Sequence, residues 1–392
     1  MKVLFIGGFK YPGNEKYYNI YNDNFFSSDP LQQSIINGLA ENGGELTILN
    51  LPFFPKGKNG FSVVREEHCF EGKRIIDIGF KRVNVFEHFS KLYNLKKEIK
   101  RNKNVDVALI YSPYFVFLGC LNLLRRLHIK TVCIVPDMPK FSGVYVKKSL
   151  RSKLSSLYRQ KYFEKKISKV DGFVFLTKSM NTHINKNKVP YCVVEGIANS
   201  KFKYIDNHNI SQRIVLYSGS LQYKYGLREL INIAKDYSNA NYNCEFHFYG
   251  RGEAENEIIS LSETNKKIKY FGCADRPTLH VAQQNAFVLI NPRTGNDEFT
   301  KFSFPSKNLE YLLAARPVIC YKLEGIPDEY DSVFIYPDGD GEYYLRKKID
   351  EVLSLSDDKA KEIGLEGKAF AINEKNERVQ AKKIFDLITR LI

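Results

Sequence analysis

Apolar and polar positions alternate in blocks along the whole chain. Short runs of β-branched and aromatic residues are separated by longer stretches with apolar residues at helical spacing, such as residues 32–42. The runs in the first half are KVLFIGG, GELTILNL, VDVALIYS, KTVCIVPD, DGFVFLTK and CVVEG. Because these runs are almost entirely apolar, we expect buried strands of a parallel sheet that is covered by helices on both faces.

A second set of such blocks follows a polar interval. Residues 198–212 contain few apolar side chains, and the pattern then restarts with RIVLYSGS, FHFYGRG, KYFGC, AFVLINP, RPVICY and SVFIY. We therefore predict an α/β protein of two Rossmann-like, doubly wound domains, 1–196 and 197–392, facing each other across a cleft at the carboxyl ends of their strands. We place the boundary near 196–212. The Lys- and Glu-rich residues 357–392 are predicted to be helical and able to pack back on the first domain.

One segment of the second half combines a predicted helix start with two charged side chains. After the strand AFVLINP, the sequence FPSK (304–307) is predicted to open a helix that runs to about residue 315, since proline is tolerated in a first helical turn. Free amides at Ser306 and Lys307, the helix dipole and the Lys307 ammonium favour an anion there. Glu310, one turn later, has the acceptors for a ribose diol. A diphosphate beside a ribose indicates a nucleotide-sugar.

These motifs, taken in order, carry a family resemblance. The strand, SFPSK, LEY and RPVI together resemble the donor-binding segment of family 4 glycosyltransferases, which have the GT-B architecture. YSGS with Lys224 and Gly226 is similar to the family's phosphate-contacting loop, YGRGE to its glycine-rich turn, and FGC to the turn against the base. The resemblance covers nearly all of residues 210–325 and is thinner in 1–195. It implies that the donor is bound by Gly219, Ser220, Lys224, Gly250, Arg251, Cys273, Arg293, Ser303, Phe304, Pro305, Ser306, Lys307 and Glu310.

Two positions depart from the family pattern. The family commonly has two Glu residues separated by seven others; the second matches Glu310, but Phe302 stands in the place of the first. We expect Glu298 to take over by reaching the sugar hydroxyls. Ser220 stands where many members have Arg, which leaves Lys224, Lys307 and Arg293 to neutralise the diphosphate. Both departures bear on the identity of the sugar more than on the reaction class.

The first domain is expected to hold the acceptor. Gly7 and Gly8 after the first strand allow close approach of the backbone, although such turns are also common without ligands. Asp137 ends the run KTVCIVP and either touches substrate or caps a turn. With Lys224 and Glu298, Asp137 completes the predicted catalytic residues.

The net charge of +15 favours an anionic partner. Residues 141–170 contain nine Lys or Arg residues and one acid, Glu164, and their apolar residues recur at helical spacing. Such a stretch is suited to an anionic membrane surface. The alternative is an ordinary amphipathic helix that packs on its own sheet.

The compartment is predicted from cysteines and hydropathy. The seven cysteines are scattered, without a CxxC pair, and several lie in apolar runs, which indicates reduced thiols and no zinc site. We find neither a signal peptide nor an apolar stretch long enough to span a bilayer. We expect a cytoplasmic protein, peripheral at the inner face of the membrane.

The sequence thus predicts a retaining glycosyltransferase without metal or other cofactor, the retention being implied by the resemblance. It would move a sugar from a nucleoside diphosphate, UDP foremost, to a hydroxyl of a lipid-linked or surface-polysaccharide precursor, as in capsule or lipopolysaccharide synthesis. An alternative is a nucleotide-sugar epimerase of the same architecture. Outside these enzymes stand a non-catalytic glycan-binding protein and a nucleic-acid-binding protein; no zinc-finger or RNP motif supports nucleic acid as a partner.

Overall fold

The computed structural model describes residues 1–18, 29–54, 61–83, 86–138, 161–199, 213–240 and 243–392. The chain divides into two compact units. The N-terminal unit comprises Met1–Ile197 together with Glu377–Ile392, and the C-terminal unit comprises Ala198–Asn376.

An eight-stranded sheet forms the centre of the N-terminal unit. Its strand order is β10-β9-β8-β7-β1-β2-β5-β4, and all neighbours are parallel except β4 and β5, which are antiparallel. A separate antiparallel pair joins β3 and β6. The strands are β1 (Lys2–Gly7), β2 (Glu45–Asn50), β3 (Ser62–Val63), β4 (Glu66–Phe70), β5 (Lys73–Asp77), β6 (Phe80–Lys81), β7 (Val107–Tyr111), β8 (Lys130–Val135), β9 (Gly172–Phe175) and β10 (Tyr191–Val193).

Helices connect these strands. They are α1 (Glu15–Tyr18), α2 (Asp29–Glu41), α3 (Phe86–Arg101), α4 (Phe115–Leu118), α5 (Leu121–Arg126) and α6 (Lys178–Ile184). The six apolar runs of the first half all form strands of the sheet. Their inward side chains, including Phe5, Ile48, Leu109 and Ile134, are fully buried, as expected for strands with both faces covered.

The C-terminal unit is built on a five-stranded parallel sheet. Its order, β13-β12-β11-β14-β15, reverses between β11 and β14, as in a doubly wound fold. The strands are β11 (Arg213–Ser218), β12 (Cys244–Tyr249), β13 (Ile268–Tyr270), β14 (Val288–Asn291) and β15 (Val318–Cys320); the helices are α7 (Leu227–Asn239), α8 (Glu255–Thr264), α9 (Arg276–Asn285), α10 (Lys307–Leu313), α11 (Glu342–Leu353) and α12 (Asp357–Glu374). The predicted strand SVFIY is wrong: only Ile335 pairs, in an isolated bridge with Ile319.

The last helix, α13 (Glu377–Thr389), belongs to the N-terminal unit. It crosses α2 closely, because a Cβ on Gly38 would lie 2.0 Å from the Glu377 carbonyl oxygen. The Ser34 hydroxyl donates to the Glu377 carboxylate at 2.8 Å. Of the terminal helices that the sequence allowed to pack back, α13 therefore does so, whereas α12 packs on α10 in the C-terminal unit.

Within the described parts of the chain, no helix is both long and apolar enough to cross a membrane. Cys133 and Cys320 are buried in β8 and β15, and burial raises the pKa of both thiols.

Candidate functional site

The predicted donor-binding residues follow the carboxyl ends of the C-terminal sheet. Gly219 comes directly after β11, Gly250 directly after β12, Cys273 three residues after β13 and Arg293 two residues after β14. Ligands of doubly wound sheets bind at this edge, next to the point where the strand order reverses. The topology therefore brings the four segments to one edge.

Glycines allow the loops at this edge to touch. Gly250 has a φ of +128°, and a Cβ on it would lie 1.7 Å from the Gly219 carbonyl oxygen. The Gly219 amide donates to the Tyr249 carbonyl at 2.8 Å, and the Gly250 amide donates to the Gly272 carbonyl at 2.7 Å. Any side chain at Gly250 would separate these loops.

Lys307 begins α10 beside the first of these loops. Its Cε atom lies 3.0 Å from the position of a Cβ built on Gly219. Desolvation lowers the pKa of the half-buried Lys307 ammonium; Glu310 opposes this shift and Arg276 adds to it. Among the described residues, Lys307 forms no ion pair within 4 Å. The side chain is therefore a partly desolvated cation whose charge no carboxylate of the described residues neutralises within 4 Å.

The helix start differs from its prediction by a few residues. The turn opens with the Asn308 amide donating to the Pro305 carbonyl at 2.8 Å, and the α-helix itself begins at Lys307. Pro305 thus precedes the α-helix and does not lie in its first turn. Ser306 occupies the N-cap, and its side chain makes no capping hydrogen bond.

Arg293 is a second partly desolvated cation. Its Nη2 donates to the Ser303 hydroxyl at 2.6 Å, and its guanidinium lies 4.5 Å from the Phe299 ring centroid. Nε is buried without a hydrogen-bond partner in the described parts of the chain. Desolvation lowers the pKa of Arg293. Lys224 shares the same aromatic neighbours, with Nζ 5.2 Å from the Tyr225 ring centroid and 6.0 Å from that of Phe299.

Glu310 lies one turn after the helix start and interacts with α9. Desolvation lowers the pKa of His280 on α9. The Glu310 carboxylate opposes this shift, and Arg276 on the same helix adds to it. Neither α9 residue was predicted from the sequence. The sequence feature that could have identified them is an arginine and a histidine spaced i, i+4 at the start of a helix directly after the FGC turn.

An aromatic stack lies at the end of β12 and β13. Phe271 is 45% exposed, and its ring lies 4.6 Å from that of Tyr249 with an angle of 8° between the planes. Cys273 is exposed two residues later. The exposed aromatic face is suited to a planar base. The sequence matched the FGC turn to the base-contacting turn of the similar family but named only Cys273 of it as a donor-binding residue.

A buried tyrosine joins α10 to β11. The Ser218 amide donates to Tyr311 Oη at 2.9 Å, and Tyr311 Oη donates to the Ser218 carbonyl at 3.1 Å. Gln283 of α9 donates to the Ser218 hydroxyl at 3.1 Å. The loop that begins at Gly219 is thus fixed to the helix that carries Lys307. The Tyr of LEY and the Ser of YSG were present in the motifs, but nothing in their spacing showed that they meet.

The other predicted donor-binding residues are either exposed in the loops of this sheet edge or buried before α10. Ser220 and Arg251 are exposed, and their carbonyls accept hydrogen bonds from Tyr217 Oη and the Leu221 amide, both at 2.8 Å. Phe304 and Pro305 are buried, with the Phe304 ring against Tyr330.

Glu298 and Phe302 lie at the two ends of one 3-10 turn, Glu298–Phe302. Glu298 is exposed, whereas Phe302 is only 4% exposed and belongs to the packed interior. Phe302 occupies the position at which family 4 glycosyltransferases commonly have their first Glu, and in this chain the residue there is part of the packed interior.

In the N-terminal unit, the glycine turn packs against its own chain. The Gly8 amide donates to Gln32 Oε1 at 3.0 Å, Gln32 Nε2 donates to the Gly8 carbonyl at 2.8 Å, and a Cβ on Gly8 would lie 2.2 Å from the Leu51 carbonyl oxygen. A Cβ on Gly7 would meet Gln32 as well, at 2.4 Å. These contacts account for both glycines without a ligand.

Asp137 follows β8 and is exposed, and partial desolvation raises the pKa of its carboxyl group. Of the predicted membrane segment 141–170, residues 141–160 lie outside the described residues, as does residue 139 of the VPDMP motif.

A buried polar network lies at the carboxyl ends of β1, β2 and β5 and was not predicted from the sequence. Tyr11 Oη donates to Asp77 at 2.6 Å, and Asn50 Nδ2 donates to the same carboxylate at 2.7 Å. Asn50 Oδ1 accepts from the Phe9 amide at 2.9 Å. Asp77 is fully buried, and desolvation raises its pKa despite these donors. The network fixes the turn that contains Gly8.

Residues 212–354 match the model of the family Glycosyl transferases group 1. No curated protein has significant sequence similarity to the chain. The family match lies in the C-terminal unit and covers every predicted donor-binding residue.

Solved structures match over the whole chain. WaaG, a glycosyltransferase involved in lipopolysaccharide biosynthesis, aligns with a TM-score of 0.60 and 14% identity, over 99% of each chain. The structure of trehalose-6-phosphate from E. coli bound with UDP-2-fluoro glucose gives 0.65 and 10% over 99% of each chain. An S. aureus TarM mutant in complex with Fondaparinux, alpha-GlcNAc-glycerol and UDP gives 0.59 and 12%, over 99% of this chain and 100% of that one.

These similarities have two consequences. The chain has the α/β fold of GT-B glycosyltransferases, which confirms the predicted fold class. Its C-terminal unit matches the glycosyl transferases group 1 family, which confirms the resemblance and supports a glycosyltransferase.

Proposed function

We propose that this protein is a retaining, metal-independent glycosyltransferase that uses a UDP-sugar. The sugar would pass to a hydroxyl of a lipid-linked or surface-polysaccharide precursor. The family match of residues 212–354 and the GT-B fold support sugar transfer, and the ligands bound in two of the similar structures, UDP-2-fluoro glucose and UDP, favour UDP as the nucleotide.

One observation carries the donor-site proposal: two cations at this sheet edge are desolvated without an ion pair among the described residues. Lys307 and Arg293 both have lowered pKa values because burial disfavours their charge. A bound anion would offset that cost for both. Perturbed cations of this kind concentrate at functional sites, and a diphosphate supplies two adjacent negative groups.

The proposed chemistry is electrostatic. Lys307, the Ser306 amide, Arg293 and Lys224 stabilise the negative charge that grows on the leaving diphosphate, an effect worth about 3–4 kcal/mol for a single well-placed donor. Glu310 accepts hydrogen bonds from the ribose, and the exposed Phe271 ring lies against the base.

Transfer on the front face of the sugar retains the configuration, and the leaving phosphate takes the proton of the acceptor hydroxyl. Glu298 holds the sugar hydroxyls. On the acceptor side, Gly7 and Gly8 shape the backbone and Asp137 contacts the acceptor.

The acceptor class and the location of the enzyme are part of the same proposal. WaaG acts in lipopolysaccharide biosynthesis, and the TarM structure contains glycan ligands, which favours a glycan precursor. The nine basic residues within 141–170 favour peripheral binding to the cytoplasmic face of an anionic membrane.

Metal independence is tested by chelation. Because Lys307, Arg293 and Lys224 supply the positive charge that a divalent cation would supply, we expect turnover with a UDP-sugar to be unchanged by EDTA and by added Mg²⁺ or Mn²⁺. Loss of turnover with EDTA that Mn²⁺ restores would contradict this part of the proposal.

The donor site is tested by UDP-induced thermal stabilisation. A ligand that binds only the folded state raises its melting temperature. UDP should raise the melt of the wild type, and Lys307→Ala or Glu310→Ala should reduce this shift strongly and abolish turnover, with little change in the melt without ligand. Lys266→Ala and Glu263→Ala remove exposed charges of the same unit and are the matched controls.

Equal UDP shifts in Lys307→Ala and Lys266→Ala would overturn the donor-site assignment. Incubation with UDP-sugars in the absence of acceptor addresses the reaction class. An epimerase interconverts the sugars under these conditions, whereas a transferase leaves the sugar configuration unchanged.

A further inference from the structure

One face of α3 exposes three aromatic side chains. Phe86, Phe89 and Tyr93 are 72%, 68% and 70% exposed, and their spacing of three and four residues places them on the same side of the helix. The opposite side packs inward through Leu95 and Ile99, which are fully buried. The aromatic residues are therefore not required for the packing of α3 on its own sheet.

The aromatic face borders a groove and continues into lysines. Lys81 and Val83 line the groove together with the aromatic residues and Ser90. Lys96, Lys97 and Lys100 follow Tyr93 at intervals of three, four and seven residues, so they extend the same stripe toward the end of α3. From Phe86 to Lys100 the stripe is about 21 Å long at 1.5 Å per residue.

The acidic residues of α3 do not neutralise this stripe. Glu87 pairs with Lys91 at 2.5 Å, and Glu98 pairs with Arg65 at 3.0 Å and with Arg101 at 2.6 Å. Lys96, Lys97 and Lys100 form no ion pair among the described residues. The stripe consequently has a net positive charge beside an apolar surface.

A second basic group extends the positive surface. Residues 161–167 are helical, and the Tyr162 ring stacks on Phe115 of α4 at 4.5 Å. Desolvation lowers the pKa of Lys166, and so do the charges of Lys169, Lys96 and Lys165. Lysines of α3 and of this helix therefore repel one another, which an anionic partner would relieve.

We propose that the exposed face of α3 is a binding surface for an anionic lipid bilayer. Phe86, Phe89 and Tyr93 enter the boundary between headgroups and acyl chains, and Lys96, Lys97 and Lys100 reach the lipid phosphates. Three adjacent exposed aromatic side chains exceed what scattered surface apolar residues explain. An aromatic patch with flanking lysines matches the chemistry of the interface.

The face of α3 is distinct from the predicted membrane segment 141–170, although the described part of that segment, residues 161–170, supplies the neighbouring lysines. It lies in the N-terminal unit, and its lipid binding does not depend on the donor-site assignment. The two proposals can therefore fail separately.

The aromatic residues are tested by sedimentation with vesicles of phosphatidylglycerol and phosphatidylcholine in equal parts. We expect Phe86→Ser with Phe89→Ser to weaken binding about tenfold or more, because two phenyl groups are lost from the interface. Tyr343→Ser is the matched control, since Tyr343 is also 72% exposed but lies on α11 of the C-terminal unit. The thermal melt of each variant without ligand, followed by scanning calorimetry, reports whether the N-terminal unit that carries α3 remains folded.

The lysines are tested in the same assay by Lys96→Glu with Lys97→Glu and Lys100→Glu. We expect binding to fall to the level of vesicles made of phosphatidylcholine alone and to lose its dependence on salt. Wild-type binding by the aromatic or the lysine variant would overturn the proposal. So would a change of oligomeric state without lipid in the aromatic variant, which would assign the face to a second copy. Tighter binding to a single-stranded oligonucleotide than to the vesicles would also overturn it.

Discussion

At the scale of single residues, Lys307 and Arg293 have charges that the described protein does not pair. Lys307 is stacked against the Gly219 loop, and Arg293 is packed on the ring of Phe299 with Nε unbonded. Burial of a charged group without an oppositely charged partner costs free energy. A bound anionic ligand would offset this cost. Both residues belong to motifs that the sequence identified, but their desolvation emerged only from the structure.

The pKa of Lys307 leads to a prediction of pH dependence. Desolvation depresses this pKa below the usual value of lysine, and the ammonium is the form that binds a diphosphate. UDP affinity should therefore be highest below the depressed pKa and fall as the pH rises through it. The expected loss is about 10- to 100-fold, which corresponds to about 1.5–3 kcal/mol for a hydrogen bond to a charged group.

Calorimetric titration of UDP across the alkaline range provides the measurement. Lys307→Arg is the control, because a guanidinium stays protonated throughout that range. Glu310 and Arg276 affect the lysine from α10 and α9, and neither residue is changed in the control. A loss of affinity of equal size in Lys307→Arg would show that another group causes it.

At the scale of elements, α10 and β11 act as one unit through Tyr311. In Tyr311→Phe the buried Ser218 amide loses its acceptor, which costs about 1–3 kcal/mol. The Gly219 loop is then no longer fixed relative to Lys307, so we expect weaker UDP binding in addition to a lower melting temperature. Isothermal titration with UDP and thermal melting measure the two effects.

A matched variant separates position from stability. Tyr237 is buried in α7 of the same unit and donates to Asp350 at 2.5 Å, away from the donor residues. Tyr237→Phe should lower the melting temperature by a similar amount and leave UDP affinity unchanged. If Tyr311→Phe binds UDP as tightly as Tyr237→Phe does, Tyr311 has no positioning role.

Elements also show how far the sequence was sufficient. Runs whose central residues are buried on both faces, such as 3–6 of β1 and 215–217 of β11, are apolar there and were predicted correctly. The β4–β5 pair was missed because β4 is a half-exposed edge strand, EEHCF, whose polar residues hide its period. SVFIY is as apolar as a strand, yet only one of its residues pairs. The pattern of apolar residues in a segment indicates whether its side chains are buried, but it does not specify which strand pairs with the segment.

For the candidate site as well, the sequence identified local features and missed contacts between distant segments. Residues adjacent in the chain to strand ends, such as Gly219 and Lys307, were locatable from motifs. The electrostatic interaction of Glu310 with His280 joins two helices, α10 and α9, whose proximity the sequence does not encode locally. Asp77 was missed for a related reason, since its donors Tyr11 and Asn50 come from distant segments.

At the scale of the whole molecule, the chain leaves the C-terminal unit after Asn376 and ends in the N-terminal one. The inward residues of α13, Ala381, Ile384, Leu387 and Ile388, are fully buried. Three of them are large aliphatic residues, each contributing about 1.5–3 kcal/mol when buried. Their sum is comparable with the total stability of a typical domain, about 5–15 kcal/mol.

Removal of residues 377–392 should consequently destabilise one unit and spare the other. We expect scanning calorimetry to show an N-terminal transition that is lost or moved to much lower temperature, because α2 loses the helix that covers it. The C-terminal transition should persist and still rise with UDP, since all proposed donor residues lie within 198–376. Deletion of Ile392 alone, a residue that is 59% exposed, is the control and should leave both transitions in place. A UDP shift that disappears with α13 would show that donor binding requires the N-terminal unit.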